Sequence, residues 1–96
     1  MIISENMIVA SEGIEMADLD GEAILLDVNS GLYYGLSDVG AHIMNLIHEP
    51  TSLSDILENM LGEFDVESAQ LEKDVIVFLK EMEERQLIQI MNGAAS

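Results

Sequence analysis

The sequence of 96 residues contains no cysteine, no tryptophan and a single proline. Without cysteine there are no disulfide bonds, no thiolate metal sites and no cysteine nucleophile, which is compatible with a reducing compartment. No apolar run approaches the roughly 18 residues that a membrane-spanning helix requires. The N-terminal segment carries Glu5 and Glu12 but no lysine or arginine, so we expect no signal peptide and a cytoplasmic location.

Positive charge is also scarce. The chain has 3 basic residues against 19 acidic ones, a formal net charge of -16, and Lys73, Lys80 and Arg85 all lie in one late segment. Nucleic acids and anionic membranes are bound through cationic side chains that replace their counterions, so we expect neither as a partner. An acidic surface instead attracts basic partners and speeds their encounter.

The sequence does have enough apolar residues for a core, 49% of the chain. A length of 96 residues predicts one domain spanning residues 1–96. We expect residues 1–6 and 92–96 to be flexible. A core of this size gives only modest stability.

Alternating apolar residues and turn signals predict strands in the first part of the chain. Met7–Ala10 and residues 14–17 are two short apolar segments, either of which can be the first strand. Asp-Gly at 20–21 predicts a turn, and residues 23–28 form a strand with one wholly apolar face. Asn29-Ser30-Gly31 predicts a three-residue hairpin loop before a strand at residues 32–36. We therefore predict a small antiparallel sheet of three strands, and residues 87–91 are either a terminal strand or an irregular end.

The rest of the chain has the apolar spacing of three helices. The residues expected to begin and end them are Ser37 and Pro50 for the first, Ser52 and Gly62 for the second, and Asp65 and about Gln86 for the third. Ser37 and Asp65 are good N-cap residues, and Ser52-x-x-Asp55 resembles a capping box.

The third helix has a core face and a mixed flank. The core face holds Leu71, Val75, Phe78, Leu79 and Met82. Val77 lies well off that face, and the acids and the arginine between Val77 and Phe78 around the helix are Asp74, Glu81 and Arg85. This flank is either an ordinary amphipathic boundary or one wall of a binding site.

The sequence contains no convincing catalytic or metal-binding pattern. His42 and His48 are six residues apart on one helix and face different directions, whereas a zinc helix needs them four apart. Gly35 and Gly40 flank a helix cap and are not followed by the lysine of a phosphate-binding loop. Pairs of acids such as Glu83-Glu84 stand in polar surroundings that do not raise a carboxyl pKa. We therefore expect no enzymatic activity, no metal and no cofactor.

One continuous segment carries a family resemblance. Residues 26–43 (LDVNSGLYYGLSDVGAHI), followed by TSLSDIL at 51–57, FDV at 64–66, DVIVFLKEM at 74–82 and LI at 87–88, resemble the PqqD-like family of leader-peptide-binding domains. The length is similar to that of the stand-alone leader-binding subunit of lasso-peptide pathways. The chain departs from the family at Met44, where members often carry tryptophan, and at Gln86, where they often carry glycine.

The resemblance implies a fold, a partner and a site. The fold is α+β and winged-helix-like, with a small three-stranded antiparallel sheet followed by a three-helix bundle. The function is that of a non-catalytic adaptor, which binds the leader of a ribosomal precursor peptide and delivers it to a separate cysteine-peptidase-like maturation enzyme. The leader adds as a strand to residues 32–36 and its side chains lie in the groove between that strand and the third helix.

The resemblance also assigns residues to this groove. The expected peptide-binding residues are Leu32, Tyr33, Tyr34, Gly35, Leu36, Asp74, Val77, Phe78, Glu81 and Arg85. Val77 and Phe78 contact apolar leader side chains, and either tyrosine supplies an apolar wall with a polar rim. The remaining assignments are by charge, with leader lysine or arginine facing Asp74 and Glu81 and a leader acid facing Arg85.

Three alternatives remain open from the sequence. An acyl- or peptidyl-carrier-like protein fits the size, the acidity and Ser52-Leu53, although Thr51 stands where a carrier has aspartate and the predicted strands do not fit. A winged-helix DNA regulator fits the element order but not the charge. An exposed sheet edge can also pair with itself and give a homodimer.

Overall fold

The computed structural model describes residues 5–91. Its elements, in chain order, are β1 (Met7–Ala10), β2 (Ile14–Leu19), β3 (Glu22–Asp27), β4 (Leu32–Gly35), α1 (Asp38–Leu46), β5 (Thr51–Ser52), α2 (Leu53–Glu63), α3 (Ser68–Glu84) and β6 (Ile88–Met91). The α+β prediction is confirmed. Most of the ends predicted to be flexible, residues 1–4 and 92–96, lie outside the described residues. The side-chain amide of Asn6 donates to the carbonyl of Met91 at 3.3 Å.

The predicted three-stranded sheet is present in the order β2-β3-β4, and both pairings are antiparallel. The first turn places Asp20 and Gly21 at φ of 55° and 84°, the two positive values of a two-residue hairpin turn. Gly31 has a φ of 75°, as expected for the last residue of the second loop. This loop has four residues, 28–31, and not the predicted three, because Asp27 pairs with Leu32. There the Ser30 hydroxyl donates to the Asp27 carboxylate at 2.9 Å, which closes the loop from within.

A second three-stranded antiparallel sheet, in the order β5-β1-β6, was not predicted. The two short apolar segments that seemed alternatives for one first strand are both strands, one in each sheet. The partners of β1 come from residues 51–52 and 88–91, far along the chain. Local alternation carries no information about such distant pairing, which is why the sequence indicated only one sheet.

Two of the predicted helix caps are confirmed. The Ser37 hydroxyl accepts from the Gly40 N–H at 3.1 Å and begins α1. The Ser52 hydroxyl accepts from the Asp55 N–H at 3.0 Å and begins α2. Each bond satisfies one of the unpaired N–H groups of a first helical turn.

Three predicted helix boundaries are wrong, by a few residues at most. Pro50 does not mark the end of α1, which stops at Leu46 with Ile47 as its C-cap. Gly62 does not end α2, which continues to Glu63, and the chain leaves the helix at Phe64 with φ -120° and ψ 138°. Asp65 does not cap α3, because the Val66 N–H donates to the Phe64 carbonyl at 3.1 Å and delays the helix start. The N-cap is Glu67, which makes no side-chain capping bond.

One apolar core joins both sheets to all three helices. Its buried members are Ile8, Leu25, Ile43, Met44, Ile47, Leu53, Ile56, Met60, Leu71, Val75, Leu79, Met82, Leu87 and Ile88. Leu25 is the buried residue of β3, and its cross-strand partners Met16 and Tyr34 also pack against the core. Among residues 5–91 no helix has the length and apolar character needed to cross a membrane.

Candidate functional site

β4 has a free backbone edge. Among the described residues it pairs with β3 alone. The Leu36 N–H donates to the Ala23 carbonyl at 2.9 Å, and bonded and non-bonded pairs alternate along an antiparallel ladder. In the register of β3 and β4, Tyr34 is therefore bonded to β3, whereas the N–H and C=O groups of Tyr33 and Gly35 point away from it.

The hydrogen bonds between β2 and β3 lead to the same assignment of the free backbone groups on β4. The Val28 N–H donates to the Gly13 carbonyl at 2.9 Å, so residues 24 and 26 of β3 are bonded to β2. Residues 23, 25 and 27 are then left to bond β4. The free groups of Tyr33 and Gly35 thus follow from two independent hydrogen bonds.

A groove of about 350 Å³ runs between this strand and α3. Its lining residues are Tyr34, Gly35, Leu36, Ser37, Phe78, Glu81, Met82 and Arg85. The guanidinium carbon of Arg85 lies 5.5 Å from the centre of the Tyr34 ring, within the range of a cation–π contact. The groove therefore combines an apolar floor with one acid and one guanidinium.

Close packing of α1 against α3 positions one wall of the groove. Phe78 lies against Gly40, where an added Cβ atom would be only 2.9 Å from the ring atom Cε1. Glycine at this position lets the aromatic ring approach the α1 backbone. Tyr34, on the strand side of the groove, is held in place by its cross-strand partner Leu25, which is buried.

The structure brings together six of the ten residues predicted for the site: Tyr34, Gly35, Leu36, Phe78, Glu81 and Arg85. Of the two tyrosines, Tyr34 lines the groove, and Tyr33 lies on the opposite sheet face with 71% of its surface exposed. Strand alternation requires this separation, although the sequence alone does not tell which face is buried.

Four predicted residues do not line the groove. Leu32 and Val77 are exposed, and Tyr33 faces the other side of the sheet. Asp74 is exposed and accepts a hydrogen bond from the Gln70 side-chain amide at 2.9 Å. Asp74 nevertheless lies one helical turn before Phe78, so it continues the groove-facing stripe of α3.

Two lining residues were missed. Ser37 was recognised only as a helix cap, and Met82 only as a core residue. Their positions explain why both residues line the groove. Ser37 comes two residues after the end of β4, and Met82 lies four residues after Phe78 on α3.

A second recess, of about 500 Å³, lies at the other side of the same strand edge. It is lined by Gly21, Glu22, Ala23, Ile24, Tyr33, Gly35, Leu36, Ser37 and Asp38. The two recesses share Gly35, Leu36 and Ser37, so the edge strand runs between them. The family resemblance predicted only the recess beside α3.

The histidines and Ser52 are accounted for by local contacts. His48 Nδ1 is hydrogen bonded to the Asn45 carbonyl. His42 Nε2 is hydrogen bonded to the Asn59 side-chain oxygen at 2.7 Å. Within residues 5–91 there is no group of three or more histidine, aspartate or glutamate side chains that could hold a metal ion. The Ser52 hydroxyl caps α2, which gives a structural reason for the Ser52-Leu53 pair that suggested a carrier protein.

Two solved structures are similar to this chain along most of their length. TbiB1 in complex with the TbiA(beta) leader peptide has 28% sequence identity and a TM-score of 0.74, with 84% of this chain and 94% of TbiB1 covered. A lasso peptide synthetase B1 complexed with the leader peptide has 26% identity and a TM-score of 0.73, with 85% and 96% covered.

A comparison with curated proteins gives no match. A family model described as coenzyme PQQ synthesis protein D (PqqD) matches residues 22–88, which include β3, β4, all three helices and the start of β6. The match covers both walls of the groove and well over half of the chain, and the chain therefore belongs to the PqqD family.

Proposed function

We propose that this protein is a non-catalytic adaptor that binds the leader segment of a ribosomal precursor peptide as an extra strand on β4. The observation that carries the proposal is a free strand edge lying beside a groove of mixed apolar and charged character. The two similar solved structures are both leader-peptide complexes, which supports the same class of ligand.

Affinity in this proposal comes first from the backbone. Tyr33 and Gly35 each offer one N–H and one C=O to an added strand. Each such hydrogen bond contributes a net of roughly 0.5–1.5 kcal/mol and depends little on the peptide sequence. The edge therefore holds the leader as an extended strand but does not select among leaders.

Selectivity comes from the groove. A leader residue opposite Tyr34 points to the same sheet face as Tyr34 and so enters the groove. There an apolar side chain contacts Phe78, a lysine or arginine faces Glu81, and a leader acid faces Arg85. A leader longer than the groove reaches Asp74 and Val77 one turn further along α3, and Leu32 at the far end of β4.

We further propose that the bound precursor is passed to a separate cysteine-peptidase-like maturation enzyme. The protein supplies the capture of the leader, and the partner supplies the chemistry. Pairing of β4 with a second copy of this chain competes for the same backbone groups, so a homodimer and the leader complex exclude each other.

Amide hydrogen exchange followed by NMR tests strand addition directly. In the free protein the N–H groups of Tyr34 and Leu36 are in the sheet ladder, whereas those of Tyr33 and Gly35 face solvent. Saturation with a bound peptide should slow exchange at Tyr33 and Gly35 by tenfold or more. The probes are the TbiA(beta) leader peptide and 12-residue peptides selected on the immobilised protein from a random display library.

A binding assay with the same fluorescein-labelled peptides tests the groove. We expect nanomolar to micromolar binding that Phe78→Ala and Val77→Glu weaken, with Glu58→Gln at an exposed position of α2 as the control. If neither peptide source protects Tyr33 and Gly35, the proposed function is wrong. If Glu58→Gln weakens binding and the two α3 variants do not, the site is wrong. Sedimentation of the free protein shows whether self-pairing occupies the edge.

A further inference from the structure

The recess on the side of the sheet away from α3 includes open space over Gly35, which has no side chain. Ala17, Ile24 and Gly35 are cross-strand partners in one row over β2, β3 and β4. A Cβ atom built on Gly35 would meet no heavy atom within 4 Å. The row thus ends in a gap at the open edge of the sheet, and this gap is part of the recess of about 500 Å³.

The backbone register places one particular peptide residue over this gap. An added strand bonds to the outward groups of Tyr33 and Gly35, and side chains of directly opposed residues project to the same face. The peptide residue opposite Gly35 therefore projects over the gap. Its neighbour opposite Tyr34 projects into the groove beside α3, so the two recesses receive alternate residues of the same strand.

The lining of the recess indicates which side chain it fits. Ile24 provides an apolar floor, and the exposed ring of Tyr33 provides a wall. The carboxylates of Glu22 and Asp38 also line the recess, and no lysine or arginine does. Long basic side chains bury their aliphatic stem on apolar surface while the charged end stays in water, and a guanidinium or ammonium also stacks on a tyrosine face.

We propose that the gap at Gly35 is a second specificity subsite, which takes the lysine or arginine of the leader residue paired with Gly35. The stem lies over Gly35 onto Ile24, and the cationic end lies between the Tyr33 ring and the carboxylates of Glu22 and Asp38. The proposal rests on strand addition to β4. It adds that the leader is recognised on both faces of the sheet.

Peptide variation tests the subsite in the intact protein. The probe is a display-selected 12-residue peptide whose residue opposite Gly35 has been identified by cross-strand NMR contacts. That residue is made lysine, norleucine or alanine in three otherwise identical peptides. Against the wild-type protein we expect lysine to bind about tenfold more tightly than norleucine, and norleucine more tightly than alanine.

Protein variants then separate the contribution of the gap at Gly35 to peptide binding from that of the two carboxylates. Gly35→Val places a side chain in the gap, where its Cβ atom would meet no heavy atom within 4 Å. We expect this variant to remove the preference of lysine over alanine. The double variant Glu22→Gln with Asp38→Asn should reduce the preference of lysine over norleucine to about twofold and leave norleucine over alanine unchanged. Gly62→Ala, at another glycine with open space around its Cβ position, is the control.

The outcomes distinguish this inference from the proposed function. If peptides bind and protect the β4 edge but Gly35→Val keeps the lysine preference, the subsite is wrong and strand addition stands. If the three peptides bind the wild-type protein equally, the subsite is likewise wrong. If no peptide protects the edge, both proposals fail together.

Discussion

Replacing Tyr33 by proline tests whether the leader binds to one particular backbone group, the N–H of Tyr33. The Tyr33 N–H points away from β3, so proline at this position removes no bond of the sheet ladder. It does remove one of the four backbone groups offered to an added strand. Because the Tyr33 ring is lost as well, the matched comparison is Tyr33→Ala, which loses the ring and keeps the N–H.

The expected effect follows from the energy of one exposed backbone hydrogen bond. Losing the bond costs roughly 0.5–1.5 kcal/mol, and the peptide carbonyl left without its donor adds to this. That carbonyl stays accessible to water at an open edge, so we expect a total of about 1–2 kcal/mol. Relative to Tyr33→Ala, the Kd of a display-selected peptide should therefore rise about 5- to 30-fold.

Urea unfolding of the variants checks whether the sheet ladder is intact. Leu36→Pro removes a ladder bond of 2.9 Å to Ala23 and should lower the free energy of unfolding by about 1–3 kcal/mol in urea. Tyr33→Pro should change it by less than about 1 kcal/mol, because its N–H already faces solvent. If Tyr33→Pro binds the peptide as well as Tyr33→Ala does, the leader does not use this N–H and the derived register is refuted.

Other predictions concern the core, the groove wall and the end of α3. Leu79→Ala, at a fully buried position, should cost about 2–5 kcal/mol in urea unfolding, whereas Val77→Ala, at 52% exposure, should stay within about 0.5 kcal/mol. Equal costs would contradict the assignment of the core face and the exposed flank of α3. Gly40→Ala should turn the Phe78 ring and weaken peptide binding about five- to tenfold, while the helix propensity of alanine offsets part of the steric cost. Unchanged binding would show that the ring has room to move elsewhere. Gln86→Gly should raise stability by about 0.5–1 kcal/mol in thermal unfolding, since Gln86 has a φ of 61°. A lower melting temperature would show that the glutamine side chain contributes more than the backbone strain costs.

Features set by short-range chemistry could be read from the sequence. The turn at Asp20 and Gly21, the loop ending at Gly31 and the Ser37 cap each depend on residues within a few positions of one another. The core face of α3 also followed from spacing alone.

Features set by distant contacts could not be read in this way. The second sheet joins β1 to strands about 45 and 80 residues later, which local patterns do not encode. The sequence shows a wholly apolar face of β3, with Ile24 and Leu26, but does not show which face is buried. Leu25 on the other face is the buried residue, because that face meets the helices.

Only part of the candidate site could be predicted from the sequence, for the same reason. The resemblance drew attention to the groove beside α3, and alternation along β4 already placed Tyr33 and Gly35 together on the opposite face. Which tyrosine faces α3 depends on how the sheet packs, so the sequence left both possibilities open. The recess at Gly35 required knowledge that Ile24 is its cross-strand neighbour.

The pairing of β1 with β6 has a consequence for how this domain can be joined to others. Met7 lies opposite Met91 in the sheet that does not contain β4. The two ends of the described chain are therefore neighbours. A circularly permuted chain, in which a short loop joins these ends and new termini are placed at residues 65–67 between α2 and α3, should therefore fold. An enzyme tethered at either end would leave the β4 edge unpaired. It would also hold a captured precursor at a millimolar effective concentration for a short flexible linker.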